Sequence, residues 1–433
     1  MLIGKPLVYC LQPGFTVQTI LNNFKISIGM KRLLQTLLVI LLCLNITAQD
    51  LVQWRGENRD GIYKETGLLK KWPENGPKLL WHFDELGDGH SSAAITSSMI
   101  YTAGTIEGKG YVYAMDHSGK LVWKTSYGPE WTENWPGVRT TPLIEKDNLY
   151  LLSGFALLTC MDAKTGSIKW SNDLMKNFNG RNITWAITEN LLIDENKLFC
   201  TLGGEEANVI ALDKNSGQLI WKSKGNGEKS AYCSPAMIKL ATKHILVTMT
   251  EKSILGIDAA TGTVLWRHEQ TNQWSVHANT PLYKDGFLYC ISGYGKGGVM
   301  LNLSPDGNSI KEVWRNNTLE NRMGGVVLLN DRLYGPSDSK RKLICIDWKT
   351  GNELFSLAAM APGNIISADG LLYCYSESGM VGLVEPKGDN LNLLSSFKVP
   401  FGANQHWAHL VISNKKLYVR HGTSLMVYDI SAE

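Results

Sequence analysis

The sequence predicts an all-β protein, an eight-bladed β-propeller of four-stranded antiparallel blades whose last blade is closed by a strand from the N-terminal side. Three observations predict it. One phrase, an aspartate, a tight turn ending in Ser-Gly or Thr-Gly, three residues and an aromatic, recurs as MDHSGKLVW (115–123), MDAKTGSIKW (161–170), LDKNSGQLIW (212–221), IDAATGTVLW (257–266) and IDWKTGNELF (346–355). A second series, Tyr101, Tyr150, Phe199, Tyr289, Tyr334, Tyr373 and Tyr418, precedes it in apolar runs, with Leu246 as its weaker member. The two series are out of step at the chain's ends. A period of about 40 to 51 residues marks stacked copies of one supersecondary unit.

Each phrase reads as a hairpin. The aspartate accepts backbone N–H bonds inside its own turn, the glycine supplies a positive φ, and the flanking runs rich in Val, Ile, Leu and Tyr alternate as strands do. With the aromatic strand and the strand before it, this makes the four strands of a propeller blade. The closing strands carry Trp81, Trp123, Trp170, Trp221, Trp266, Trp314, Phe355 and Phe397, which counts eight blades. SPDGNSIKEVW (304–314) and EPKGDNLNLLSSF (385–397) lengthen the turn and read as blades with looser hairpins. The strand around Trp81 has no aromatic strand before it, and those around Tyr418 and Tyr428 have no closing strand after them. The strand Leu79 to Phe83 is therefore expected to complete the last blade, leaving no sheet edge open.

Composition fits an ordinary globular chain, 44% hydrophobic and 19% charged, with 42 glycines for its turns. A net charge of +3 argues against nucleic acid or an acidic membrane surface as a partner. No Pro/Ser-rich or charged linker interrupts the repeat, so one closed ring, a monomer, is expected over 78–433, preceded by an extension over 49–77.

Residues 1–48 stand apart. Met30-Lys31-Arg32 followed by LLQTLLVILLCLNITA is a basic start, an apolar core and an Ala-ended polar segment, the layout of a cleavable export signal ending at Ala48, with Met30 as the expected start. The apolar run is too short for a membrane span. Leu42 before Cys43 argues against lipidation at that cysteine. The expected location is therefore periplasmic or extracellular. Cys160, Cys200, Cys233, Cys290, Cys345 and Cys374 lie inside predicted strands and form no C-x-x-C or C-x-x-C-H pair, which excludes a thioredoxin-like site and covalent c-type haem.

The Asp-x-x-Thr-Gly-x-x-x-Trp phrase resembles the tryptophan-docking motif of the pyrroloquinoline quinone (PQQ)-like repeat propellers, and the segment Trp54 to Trp81 resembles the start of secreted bacterial members. The resemblance covers essentially the whole chain after residue 48 and implies eight blades. It also implies that Asp162, Asp213, Asp258, Asp347 and the tryptophans are structural. On function it points two ways, because the family includes quinoprotein alcohol dehydrogenases, which use PQQ and calcium, and an outer-membrane assembly lipoprotein that binds partner proteins without a cofactor.

A site is expected where the repeats differ, in the loops entering the innermost strand of each blade. These bring His90, Trp135, Arg139, Arg181, Asn182, Trp185, Tyr232, Trp274, His277, Asn279, Arg322, Asn364, His406 and Trp407 toward one end of the ring. Arginines and histidines that pair with carboxylates, with tryptophans that offer stacking faces, suit an anionic ligand such as PQQ, or a partner protein. Glu133, Glu320 and Asp369 stand only at the margins of these segments, which do not supply the several oxygen ligands of a calcium site, and no adjacent cysteine pair matches the dehydrogenases. A binding or scaffold propeller is the preferred reading. A PQQ-dependent alcohol or sugar dehydrogenase is the alternative.

Overall fold

The computed structural model describes residues 51–360 and 362–432. The expected export signal lies outside them. The described chain forms eight sheets in ring order: blade 1 over 94–129, blade 2 over 143–173, blade 3 over 192–223, blade 4 over 236–269, blade 5 over 282–316, blade 6 over 327–357, blade 7 over 363–398 and blade 8 over 411–429. Strands within each blade run antiparallel in sequence order, inner to outer, and both long-turn units form regular outer strands, Ile310–Asn316 and Asn390–Lys398. One five-residue helix, Leu174–Phe178, follows blade 2 and is capped by Asp173. No helix among the described residues is long and apolar enough to cross a membrane.

The ring closes as the offset between the two series predicts. Lys78–Phe83 pairs antiparallel with Ser424–Asp429, Leu79 opposite Tyr428 and Trp81 opposite Val427, and supplies the outer strand of blade 8. Without it, a strand whose residues are almost all buried would become a free edge. A chain beginning at Asp84 is therefore expected to unfold broadly at a lower temperature and to self-associate. Calorimetry and sedimentation check this, and an unchanged sharp transition in a monomer would contradict it.

The repeat residues act between blades. Asp213 accepts from the N–H groups of Asn215 and Ser216 and from the Ser216 hydroxyl, at 2.9–3.0 Å, and Asp162, Asp258 and Asp347 repeat the pattern. Each turn receives the tryptophan of the preceding blade. A Cβ on Gly262 would fall 2.6 Å from the Trp221 ring, whose Nε1 donates to the Ala259 carbonyl at 3.1 Å. Trp81 of the latch strand makes the same contact with Gly119 of blade 1, its Nε1 donating to the His117 carbonyl, so the docking series runs on across the seam.

A second belt joins the innermost strands. Ser92 N–H donates to Thr141 Oγ1, Thr141 N–H to Asn190 Oδ1, and Asn190 Nδ2 to Ser234 Oγ. Cys233 Sγ donates to the Asn279 carbonyl, Asn279 Nδ2 to the Asn321 carbonyl, and Asn321 Nδ2 to the Gly363 carbonyl. Asn364 Nδ2 to the Ala408 carbonyl and His409 N–H to Ser92 Oγ complete the circuit, so every blade boundary is bridged. All of these polar side chains are buried, where each needs its partner.

The segment before the latch crosses the ring's axis. Leu51–Val52 pairs with the innermost strand of blade 2, and Ile62–Tyr63 runs parallel to the innermost strand of blade 7. Between them, Arg55 donates to the carbonyls of Val326 and Ile365, and Arg59 to those of Asn190, Leu191 and Pro235. Each guanidinium thus neutralises strand-end carbonyls from two neighbouring blades that the narrow centre of the ring hides from water.

Candidate functional site

Above this crossing the funnel opens into a cavity of about 570 Å³, within the usual size of a ligand site. Its floor is Trp54 and His409, in edge contact at a centroid distance of 4.8 Å. His409 is neutral: burial beside Arg55 pushes its imidazole down to about 3. In that form Nε2 donates to the Met323 carbonyl and Nδ1 accepts from Arg55, each at 3.1 Å, which ties the floor to the crossing below.

The walls come from the loops that precede the innermost strands. Eight of the fourteen residues expected at the funnel mouth line the cavity: His90, Trp135, Arg139, Trp185, Tyr232, Arg322, His406 and Trp407. Trp135 and Trp407 lie 5.3 Å apart, and Trp185 contacts both Tyr232 and Trp274 at 6.0 Å. Trp135 is 47% and Trp274 51% exposed, so aromatic faces are held open to solvent at the mouth. Trp135, Tyr232 and Tyr294 have φ of 63°, 67° and 58°. Left-handed backbone at bulky residues is strained and concentrates at functional sites.

Five expected residues lie elsewhere. Asn279 and Asn364 belong to the interblade belt, their amides donating to the carbonyls of Asn321 and Ala408 in the next blade. His277 is fully buried, its Nδ1 against the Ser292 hydroxyl. Asn182 donates to the Gly154 carbonyl at 3.1 Å. Arg181 donates to the carbonyls of Gly203 and Gly227 and faces Glu205 at 3.5 Å, outside the cavity.

The charge of the funnel also differs from the expected cationic ring. Arg322 is clamped by both oxygens of Glu377 at 3.1 Å, and its Nε lies 3.7 Å from Asp338, whose carboxyl burial pushes up to about 7. Trp407 Nε1 donates to the same Glu377 at 3.2 Å. Arg139, which burial lowers to about 10, donates to the carbonyls of Asn134, Trp135 and Trp185. Glu377, Gln405 and Trp54 lie outside the segments assigned to the funnel mouth or at non-repeating positions in them, so the repeat carries little sign of Glu377 as a counter-ion.

His90 is the exception in this satisfied lining. It is 7% exposed and packs 4.9 Å from Trp407, yet neither ring nitrogen has a hydrogen-bond partner among the described residues. Burial, with Arg139 and Arg420 nearby, lowers it to about 3, so at neutral pH it presents one N–H donor and one lone-pair acceptor. Leaving a buried polar group unpaired costs about 1–3 kcal/mol, and among the cavity's lining residues His90 alone carries that cost.

The fold and funnel define an eight-bladed propeller with a single-mouthed cup. The chain belongs to the PQQ-like repeat propeller family: residues 108–357 match the family model described as outer membrane protein assembly factor BamB. Over 171 residues it is 24% identical to the quinoprotein alcohol dehydrogenase PedH of Pseudomonas putida, a match covering 38% of this chain and 27% of that protein. It is 26% identical over 147 residues to the quinoprotein ethanol dehydrogenase of Pseudomonas aeruginosa, covering 34% and 20%. The chain thus matches about a quarter of the length of these relatives. BamB from Moraxella catarrhalis superposes with a TM-score of 0.57 at 14% identity, covering 82% of this chain and 99% of that one. A europium-containing methanol dehydrogenase superposes at 0.64 and 14%, covering 86% and 90%. At such identities the superpositions show the fold.

PQQ fits the cup in one respect only. Its ring would find stacking faces, but three carboxylates would meet Glu377 and two arginines already engaged. Among the described residues no group of three or more His, Cys, Asp or Glu is placed to hold a metal. The cup does not fit a PQQ–metal pair.

Proposed function

We propose that this protein is an exported binding propeller that holds a small molecule in the aromatic cup at its funnel mouth. The observation that carries this reading is His90, buried and unpartnered in the wall of an otherwise satisfied cavity. The closed floor, the open aromatic rim and the strained Trp135 and Tyr232 support it. Residues 1–48 act as the export signal, and the ring works as a monomer in the periplasm or outside the cell.

Intrinsic tryptophan fluorescence tests it, because the rim tryptophans report on the cup directly. Titration with small molecules, neutral sugars, citrate and PQQ among them, is expected to give saturable changes that Trp135→Ala and Trp407→Ala reduce while the melting temperature holds. Binding that survives both variants would move the site elsewhere. The similarity to quinoprotein dehydrogenases favours one second reading, an alcohol-oxidising enzyme. Dye reduction by protein loaded with PQQ and calcium would establish that reading and displace the binding one.

A further inference from the structure

We infer that the cup's ligand is a neutral saccharide ring, recognised by stacking on the rim tryptophans and by a hydroxyl bonded to His90. The inference rests on the cup being the binding site, as proposed above, and adds the chemistry of what it takes.

Three features of the lining select this class. First, the arginines are already hydrogen-bonded: Arg322 to Glu377, and Arg139 to three carbonyls. An anion would have to displace the Glu377 carboxylate from Arg322 and then lie beside it. A cation would face Arg139. Second, the unpartnered group is a neutral imidazole with one donor and one acceptor. A hydroxyl both donates and accepts, so it can satisfy whichever His90 nitrogen it meets, whereas a carboxylate can satisfy only the N–H. Third, the apolar contacts are the exposed Trp135 and the half-buried Trp407, held at 60° to each other. The negative face of an indole attracts the polarised C–H groups on the flat side of a pyranose ring. Thr188 and Gln405 line the same cavity with uncharged polar groups suited to further hydroxyls. A volume of about 570 Å³ leaves room for more than one ring.

The test is fluorescence and calorimetric titration of the full chain with maltose, cellobiose and N,N′-diacetylchitobiose, against citrate and PQQ. At least one disaccharide is expected to bind in the micromolar to millimolar range. Trp135→Ala, at an exposed position, and His90→Phe, which keeps the ring and removes both nitrogens, are each expected to weaken it about tenfold or more, the size of one lost ligand contact. Circular dichroism confirms that each variant is folded. Should His90→Phe fail to fold, His90→Gln, which restores a donor and an acceptor, is expected to retain binding in its place. Three results would overturn the inference: no disaccharide binding at millimolar concentration, tighter binding of citrate or PQQ than of every sugar, or full affinity in both variants. Citrate or PQQ binding that Trp135→Ala removes would sink the saccharide class and leave the cup as the site. Absence of binding by every probe would sink both.

Discussion

Trp221→Ala is expected to destabilise the ring by about 3–5 kcal/mol, the usual cost of truncating a large buried aromatic. Trp221 is 8% exposed, stacks near Phe199 and seals the turn of blade 4. Removing it leaves a cavity between two blades and frees the Ala259 carbonyl that its Nε1 satisfies. Trp170→Ala, against Gly217 of blade 3, is expected to behave alike. Chemical denaturation checks both. Since neither residue lines the funnel, ligand affinity measured well below the transition is expected to hold, and an unchanged melting temperature would remove the interblade role of the repeated tryptophan.

Arg420→Ala is the second large effect, about 3–5 kcal/mol, because it leaves several buried carbonyls without their donor, at about 1–3 kcal/mol for each group left unpaired. Arg420 is 1% exposed, and burial lowers it to about 10, so it stays charged at neutral pH. From blade 8 it reaches into blade 1, donating to Thr102 Oγ1 at 2.9 Å and to the carbonyls of Ser91 and Ala103, besides Gly422 of its own blade. These bonds lie on the boundary between blade 1 and blade 8, the blade whose latch strand is held to its other three strands by pairing alone. The loss is therefore expected to be local first: hydrogen exchange should rise in Ile100–Ile106 and Lys416–His421 before the rest of the ring. Uniform exchange with full stability would contradict a seam role.

The blades were legible because the same physical demands recur in each. The Asp-Gly turn and the tryptophan are repeated since every hairpin must bend alike and every interface must be filled, and the offset between the series located the latch strand. The interblade belt was written in the sequence too, as Ser92, Thr141, Asn190, Ser234 and Asn279, but these residue types are common in loops and give no sign of their acceptors until the ring is closed. That is why Asn279 and Asn364 read as funnel residues. Arg55 and Arg59 were illegible for a related reason: their partners are backbone carbonyls of distant blades, which carry no residue signature. The aromatic rim was recovered, since Trp135, Trp185 and Trp407 break the repeat in corresponding loops. Its charge balance was not, because Glu377 follows the second strand of blade 7, outside the funnel loops, and meets Arg322 only across a blade boundary.

Hydrogen–deuterium exchange, run on the full chain with and without the tightest-binding of the disaccharides, citrate and PQQ, tests most directly that the cup is the ligand site. Protection is predicted in the mouth segments 131–139, 185–190, 230–234 and 404–409, with no change in the Asp-Gly turns near Asp162, Asp213, Asp258 and Asp347. Protection of those turns, or of the outer strands, with the mouth segments exchanging as before, would contradict it.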